Sequence, residues 1–139
     1  MRILELKEGA RVALIHNVNN IDDLYNNAMG IVKGFEYEDG KVECVMVEFD
    51  NESSGRNQRI KYSKYCQKPK YKDHNITPIV RYDNKYPIPP FHEKSAHVIQ
   101  FPLQLGWALT AHRVQGCEFT KGSKIVVHWT KDMQPGMAY

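Results

Sequence analysis

Leu105-Gly106-Trp107-Ala108-Leu109-Thr110-Ala111-His112-Arg113-Val114-Gln115-Gly116-Cys117-Glu118-Phe119 is the stretch of this 139-residue chain whose reading decides the fold. An apolar strand runs into a short polar turn of helix that carries Thr, His, Arg and Gln together, and a Gly closes it. A strand end built in this way presents hydroxyl, imidazole and amide groups to a phosphate-bearing ligand. Residues 103–109 are read as the strand, 110–115 as the polar helix and 124–129 as a following strand, Lys-Ile-Val-Val-His-Trp. That order is the one found in an α/β layer. The chain stops at Pro135-Gly136-Met137-Ala138-Tyr139, which opens a helix without giving it a body, as expected of a fragment.

Upstream the signal is β. Arg11-Val12-Ala13-Leu14-Ile15-His16 mixes β-branched and apolar residues, as a half-buried strand does. An Asn- and Asp-rich loop spans 17–27. A second strand is expected over 30–37 and a third over 42–49. Glu38-Asp39-Gly40-Lys41 joins them as a hairpin turn, because Asp-Gly tolerates positive φ. A further strand pair is expected at 76–82 and 97–101, with Tyr86-Pro87-Ile88-Pro89-Pro90 as an extended or turning loop between them. Short strands, tight turns and no convincing amphipathic helix point to a small barrel or curled sheet.

Composition sets bounds on function. The hydrophobic share of 42% and charged share of 25% are those of an ordinary globular domain, and the formal charge of +3 is only mildly basic. No window approaches the roughly 18 apolar residues of a membrane span. The N-terminus carries acidic residues where a signal peptide would be apolar. Cys44, Cys66 and Cys117 form no Cys-x-x-Cys pair and read as free thiols of a reducing compartment. His92 with His97, and Cys66 with His74, lack partners at ligand spacing, so no metal site is assigned.

Trp107-Ala108-Leu109-Thr110-Ala111-His112-Arg113-Val114-Gln115-Gly116 resembles motif V of the superfamily 1 helicases of the PIF (petite integration frequency) and RecD type. Further pieces follow in the family's order. Residues 6–17 resemble its Lys-x-Gly-Ala-x-Val-Met-Leu-x-x-Asn segment. Asn26-Asn27-Ala28-Met29-Gly30-Ile31-Val32 resembles its Asn-Gly-Ala-x-Gly-x-Val turn. Residues 101–108 resemble its approach to motif V, and 135–139 the start of motif VI.

The resemblance implies a mixed α/β, β-rich fold. Residues 1–100 would form a small Src-homology-3-like β-barrel insert with a basic loop at 56–72. Residues 101–139 would be part of the second RecA-like motor domain. The activity implied is ATP-driven 5′-to-3′ translocation on single-stranded DNA with duplex unwinding. By the same resemblance Thr110 and His112 would bond a DNA phosphate with Arg113 in support, while Gln115 and Gly116 would face the γ-phosphate of ATP. Glu118 would reach the ribose or orient the loop. Asn27 replaces the family's usual Gly, which is tolerable because Asn visits the left-handed region readily, and Gly106 stands where Ala is common. No Gly-x-x-x-x-Gly-Lys-Ser/Thr occurs, and motif VI ends before its arginine. The segment alone should therefore hydrolyse no ATP. It should contain no catalytic residue and bind no cofactor of its own, ATP and Mg²⁺ belonging to the parent protein. The implied partners are single-stranded DNA and an upstream first RecA-like domain, with no membrane, in an intracellular and foremost nuclear location.

Residues 56–72 contain seven Lys or Arg and no acidic residue, with Tyr62, Tyr65 and Tyr71 interleaved. Basic residues neutralise phosphates and aromatics stack on unpaired bases. Arg56, Arg59, Lys61, Lys64, Tyr62 and Tyr65 are the candidate DNA contacts. The bland reading is a solvated loop. Two other functions remain open: a stand-alone nucleic-acid-binding module, or mobile-element remnant, without a motor, and a protein-interaction barrel.

Overall fold

A computed structural model describes residues 4–72, 74–88, 91–108, 110 and 124–128. The chain divides into two compact units, Met1–Trp107 and Ala108–Tyr139.

The first unit is β-rich. Strands β1 (Arg11–Leu14), β2 (Met29–Glu38) and β3 (Lys41–Phe49) fall close to where the sequence places them. In β2 every second residue from Gly30 to Glu36 is buried and the intervening ones only partly so, the period of two that a strand requires. Asp39 and Gly40 have φ of 49° and 74° between the paired Glu38 and Lys41. A tight hairpin needs two such positive angles in succession. Asn27 has φ of 70°, a left-handed conformation that Asn adopts more readily than most residues.

Two short helices follow, α1 (Arg56–Lys61) and α2 (Ser63–Cys66), then β4 (Ile76–Val80), β5 (Tyr82–Ile88), β6 (Phe91–Gln100) and β7 (Leu103–Leu105). The main sheet is antiparallel and has five strands in the order β4-β3-β2-β1-β7. β5 and β6 form a separate two-stranded sheet.

Three expectations change. The strand read over 103–109 is only Leu103–Leu105 and pairs with β1, Leu103 opposite Leu14 and Leu105 opposite Val12. Gly106 then donates its N–H to the Arg11 carbonyl at 2.8 Å, and Trp107 leaves the sheet 73% exposed. The pair expected between 76–82 and 97–101 is made only where Tyr82 faces Gln100, because Ile76–Val80 (β4) adds to β3 while Tyr82–Ile88 (β5) pairs with β6. Pro87 consequently lies in a strand, which is tolerated where a two-stranded sheet leaves an outer edge unpaired. The strand expected over 124–129 is not formed across 124–128, which are exposed and irregular. A strand needs hydrogen-bonding neighbours, and none pairs with this run among the described residues. The helix expected over 110–115 lies outside the described residues except for Thr110, which is not helical.

The core has two parts. β3 sends Val45, Val47 and Phe49 into a cluster with Val12, Leu14, Leu24, Val32, Ile79 and Leu103. It sends Cys44 and Met46 into a second cluster with Tyr65, Tyr71 and Ile76. A strand apolar on both sides needs two covers, and the second cover is the α1–α2 segment.

Candidate nucleic-acid interface

The basic stretch read as a loop is anchored, helical over Arg56–Lys61 and Ser63–Cys66 and turning over 67–72. α1 begins at Gly55 without a capping side chain of its own. Its first amides are satisfied from the 17–27 loop instead. Asp22, only 3% exposed, accepts the N–H groups of Asn57 at 2.8 Å and Gln58 at 2.9 Å. Its carbonyl accepts the Gly55 N–H at 2.8 Å. A carboxylate at a helix N-terminus both fills orphan donors and opposes the helix dipole. No local sequence signal reveals Asp22, since its partners lie 35 and 36 residues away.

Arg59 ties α1 to β4, donating through Nη1 to the Ser54 carbonyl at 2.7 Å and to Thr77 Oγ1 at 3.0 Å. Tyr65 is 6% exposed and packs in the second core cluster, so its ring offers no open face for base stacking. Tyr71 is buried over Gly34 of β2, where a Cβ would strike its hydroxyl. Burial, and then the neighbouring Glu36 carboxylate, push the Tyr71 phenol well above its ordinary range. Glu36 is itself buried and pairs with Lys68.

These contacts sort the cations of 56–72. Lys64, Lys68 and Lys70 have the carboxylates of Glu38, Glu36 and Glu8 as partners. Arg56, Lys61 and Lys72 have no acidic partner among the described residues. Lys61 lies over the half-buried Tyr62 ring, 5.2 Å from its centre.

An open groove of about 450 Å³ runs along α1 and α2, lined by Arg56, Arg59 and Lys72 with Ser63, Gln67 and Ile60. The structure thus brings together two of the six candidate DNA contacts in this stretch, Arg56 and Arg59, and adds Lys72, Ser63 and Gln67. Lys61, Tyr62 and Lys64 lie outside the lining. Cys66 also borders the groove, and burial raises its pKa. Cys44 is pushed from 9.0 to about 12, by burial first and Glu36 next. Both shifts favour the thiol over the thiolate, so neither cysteine is an activated nucleophile.

In the second unit Thr110 is exposed. His112, Arg113, Gln115, Gly116 and Glu118 lie outside the described residues. Among the described residues no group of three metal-ligating side chains forms, and no helix is long and apolar enough to cross a membrane.

No family model matches the chain. Over 116 residues, 83% of its length, it is 31% identical to the ATP-dependent DNA helicase PIF1 of Rattus norvegicus. It spans 14% of that relative. Its fold matches an unliganded Pif1 from Bacteroides sp with a TM-score of 0.54 and 26% identity, over 96% of this chain and 26% of the other. It also matches a structure of two coordinating Pif1 helicases unwinding forked duplex DNA, with a TM-score of 0.52 and 26% identity. That match covers 81% of this chain and 19% of the other.

Proposed function

From the premise that this chain is a segment of a PIF1-type superfamily 1 helicase, we propose that it supplies DNA contacts to an ATP-dependent 5′-to-3′ DNA helicase. Residues 1–100 act as a barrel insert and 101–139 as part of the second RecA-like domain. Thr110, His112 and Arg113 grip a phosphate of single-stranded DNA. Gln115 and Gly116 face the γ-phosphate of ATP and Glu118 reaches the ribose or orients the loop, while the phosphate cradle and Mg²⁺ belong to the upstream first RecA-like domain of the parent protein. Arg56, Lys61, Tyr62 and Lys64 add a basic face to the insert. The observation that carries this reading is the 116-residue match to rat PIF1, which is described as an ATP-dependent DNA helicase. The exposure of Thr110 agrees with it, because a side chain sealed in hydrocarbon reaches no phosphate.

The test is an anisotropy titration of the full chain with labelled single-stranded DNA. Binding should weaken steeply as salt rises, because phosphate contacts release counterions. The Thr110→Ala/His112→Ala variant should bind about 10-fold more weakly than wild type at low salt, on the scale of lost phosphate contacts. Wild-type affinity in that variant would remove the motif from the interface.

A further inference from the structure

We infer that the groove along α1 and α2 is a second backbone site for single-stranded nucleic acid, built from Arg56, Arg59 and Lys72. It presupposes the ligand class proposed above but uses none of the residues around Thr110.

Three features distinguish the groove from a merely solvated basic face. Its cations are the ones left over. Arg56 and Lys72 have no carboxylate partner among the described residues, whereas Lys64, Lys68 and Lys70 are matched to glutamates. Arg59 has one nitrogen committed to Ser54 and Thr77, which fixes its guanidinium in place and leaves its remaining donors free to point elsewhere. Among the described residues no Asp or Glu lines the groove. Like charges gathered on one concavity repel, and a bridging phosphodiester relieves that repulsion.

The rest of the lining selects the kind of anion. Ser63 and Gln67 supply a hydroxyl and an amide, which bond phosphate oxygens, sugars or base edges. Ile60 is 68% exposed at the same place and gives a base an apolar surface to lie on. An inorganic anion has no use for that surface. A duplex keeps its bases inside and presents only phosphates. A single strand offers both parts, and a volume of about 450 Å³ would hold a short stretch of it.

The experiment titrates the full chain with fluorescein-labelled oligo(dT) of about 15 nucleotides, within the usual single-strand site range. Arg56→Ala/Lys72→Ala should weaken binding about 10-fold at low salt. It should also flatten the slope of log K against log salt by about 1.4, two phosphate contacts at about 0.7 each. Lys68→Ala/Lys70→Ala removes the same charge from the same segment and should change affinity less than about 2-fold, because those lysines already have partners in Glu36 and Glu8. Equal losses in the two pairs would reduce the effect to net charge and overturn the site.

Thr110→Ala/His112→Ala keeps the two readings apart. If that variant abolishes binding while the groove pair leaves it intact, the groove is refuted and the motif contact stands. The opposite pattern keeps the groove and removes the motif. Unlabelled duplex competing as well as oligo(dT), or millimolar inorganic phosphate displacing it fully, would overturn the single-strand assignment. In a Cys117→Ser background oligo(dT) should slow alkylation of Cys66 several-fold. It should lose that protection in the Arg56→Ala/Lys72→Ala variant.

Discussion

On one side of the main sheet β3 buries Val45, Val47 and Phe49 among aliphatic side chains; on the other it buries Cys44 and Met46 beneath two tyrosines of a segment that is otherwise almost wholly basic. The first side is closed by hydrocarbon drawn from β1, β2, β4, β7 and the 17–27 loop. The second is closed by α1 and α2, held through Asp22, Arg59 and the Glu36–Lys68 pair. The contrast shows that a stretch can be a cover for the core and a charged outer surface at once. Its aromatic rings point inward and its unmatched cations point out.

The largest expected effect comes from the aliphatic side. Leu14 is fully buried in the first cluster. Leu14→Ala should cost about 3 kcal/mol through lost transfer energy and the cavity left behind. Because both covers depend on the same sheet, urea unfolding should shift as one transition for both. Separate transitions for the β1 amides and the α1 amides, followed by hydrogen exchange as urea rises, would show that the two sides fold independently.

Alkaline pH should act on the second side alone. The Cys44 thiol ordinarily ionises at 9.0 and is raised to about 12 in the fold. Between those values the unfolded chain has already lost the proton while the folded chain still holds it. Stability is therefore complete below pH 9 and falls as pH rises through about 12. One thiol should account for about 1.4 kcal/mol by pH 10. Tyr71 shifts in the same direction and deepens the decline further up the scale. Cys44→Ala should flatten the profile, whereas the deficit of Leu14→Ala should not vary with pH over that window. An identical decline in Cys44→Ala and wild type would show that the thiol is not held neutral by the fold.

The same contrast explains what could be read in advance. β1, β2, β3 and the Asp39-Gly40 turn were legible because alternation and turn chemistry are local properties. The family was legible too, because short sequence motifs carry the resemblance. α1 and α2 were not, because helices of six and four residues are too short to show a period. Their stability comes from Asp22 and the second core cluster, both distant in sequence. One signal was available: Cys44-Val45-Met46-Val47 is four apolar residues without alternation. Such a run demands a cover on each face, and the only segment between β3 and β4 able to supply one is the basic stretch. In the groove lining, Arg56 and Arg59 were legible as basic residues, but the burial of Tyr65 and the entry of Lys72 depend on three-dimensional packing. The arrangement of 111–123 lies outside the described residues.

The smallest effect should be the most localised. Asp22→Ala removes the acceptor of two α1 amides. A lost cap costs about 1 kcal/mol, and here the cost should fall on the second side only. The sheet hydrogen bonds of β1 and β2 involve neither Asp22 nor α1, so their amides should exchange with solvent as in wild type. The Asn57 and Gln58 amides should exchange faster, and Cys66 should react sooner with a thiol reagent as α1 frays. Asp22→Asn keeps one acceptor oxygen and should fall between the two. If Asp22→Ala instead sped exchange in β1 and β2 as much as in α1, α1 would not fray by itself, and the basic segment would be integral to the sheet rather than a cover laid upon it.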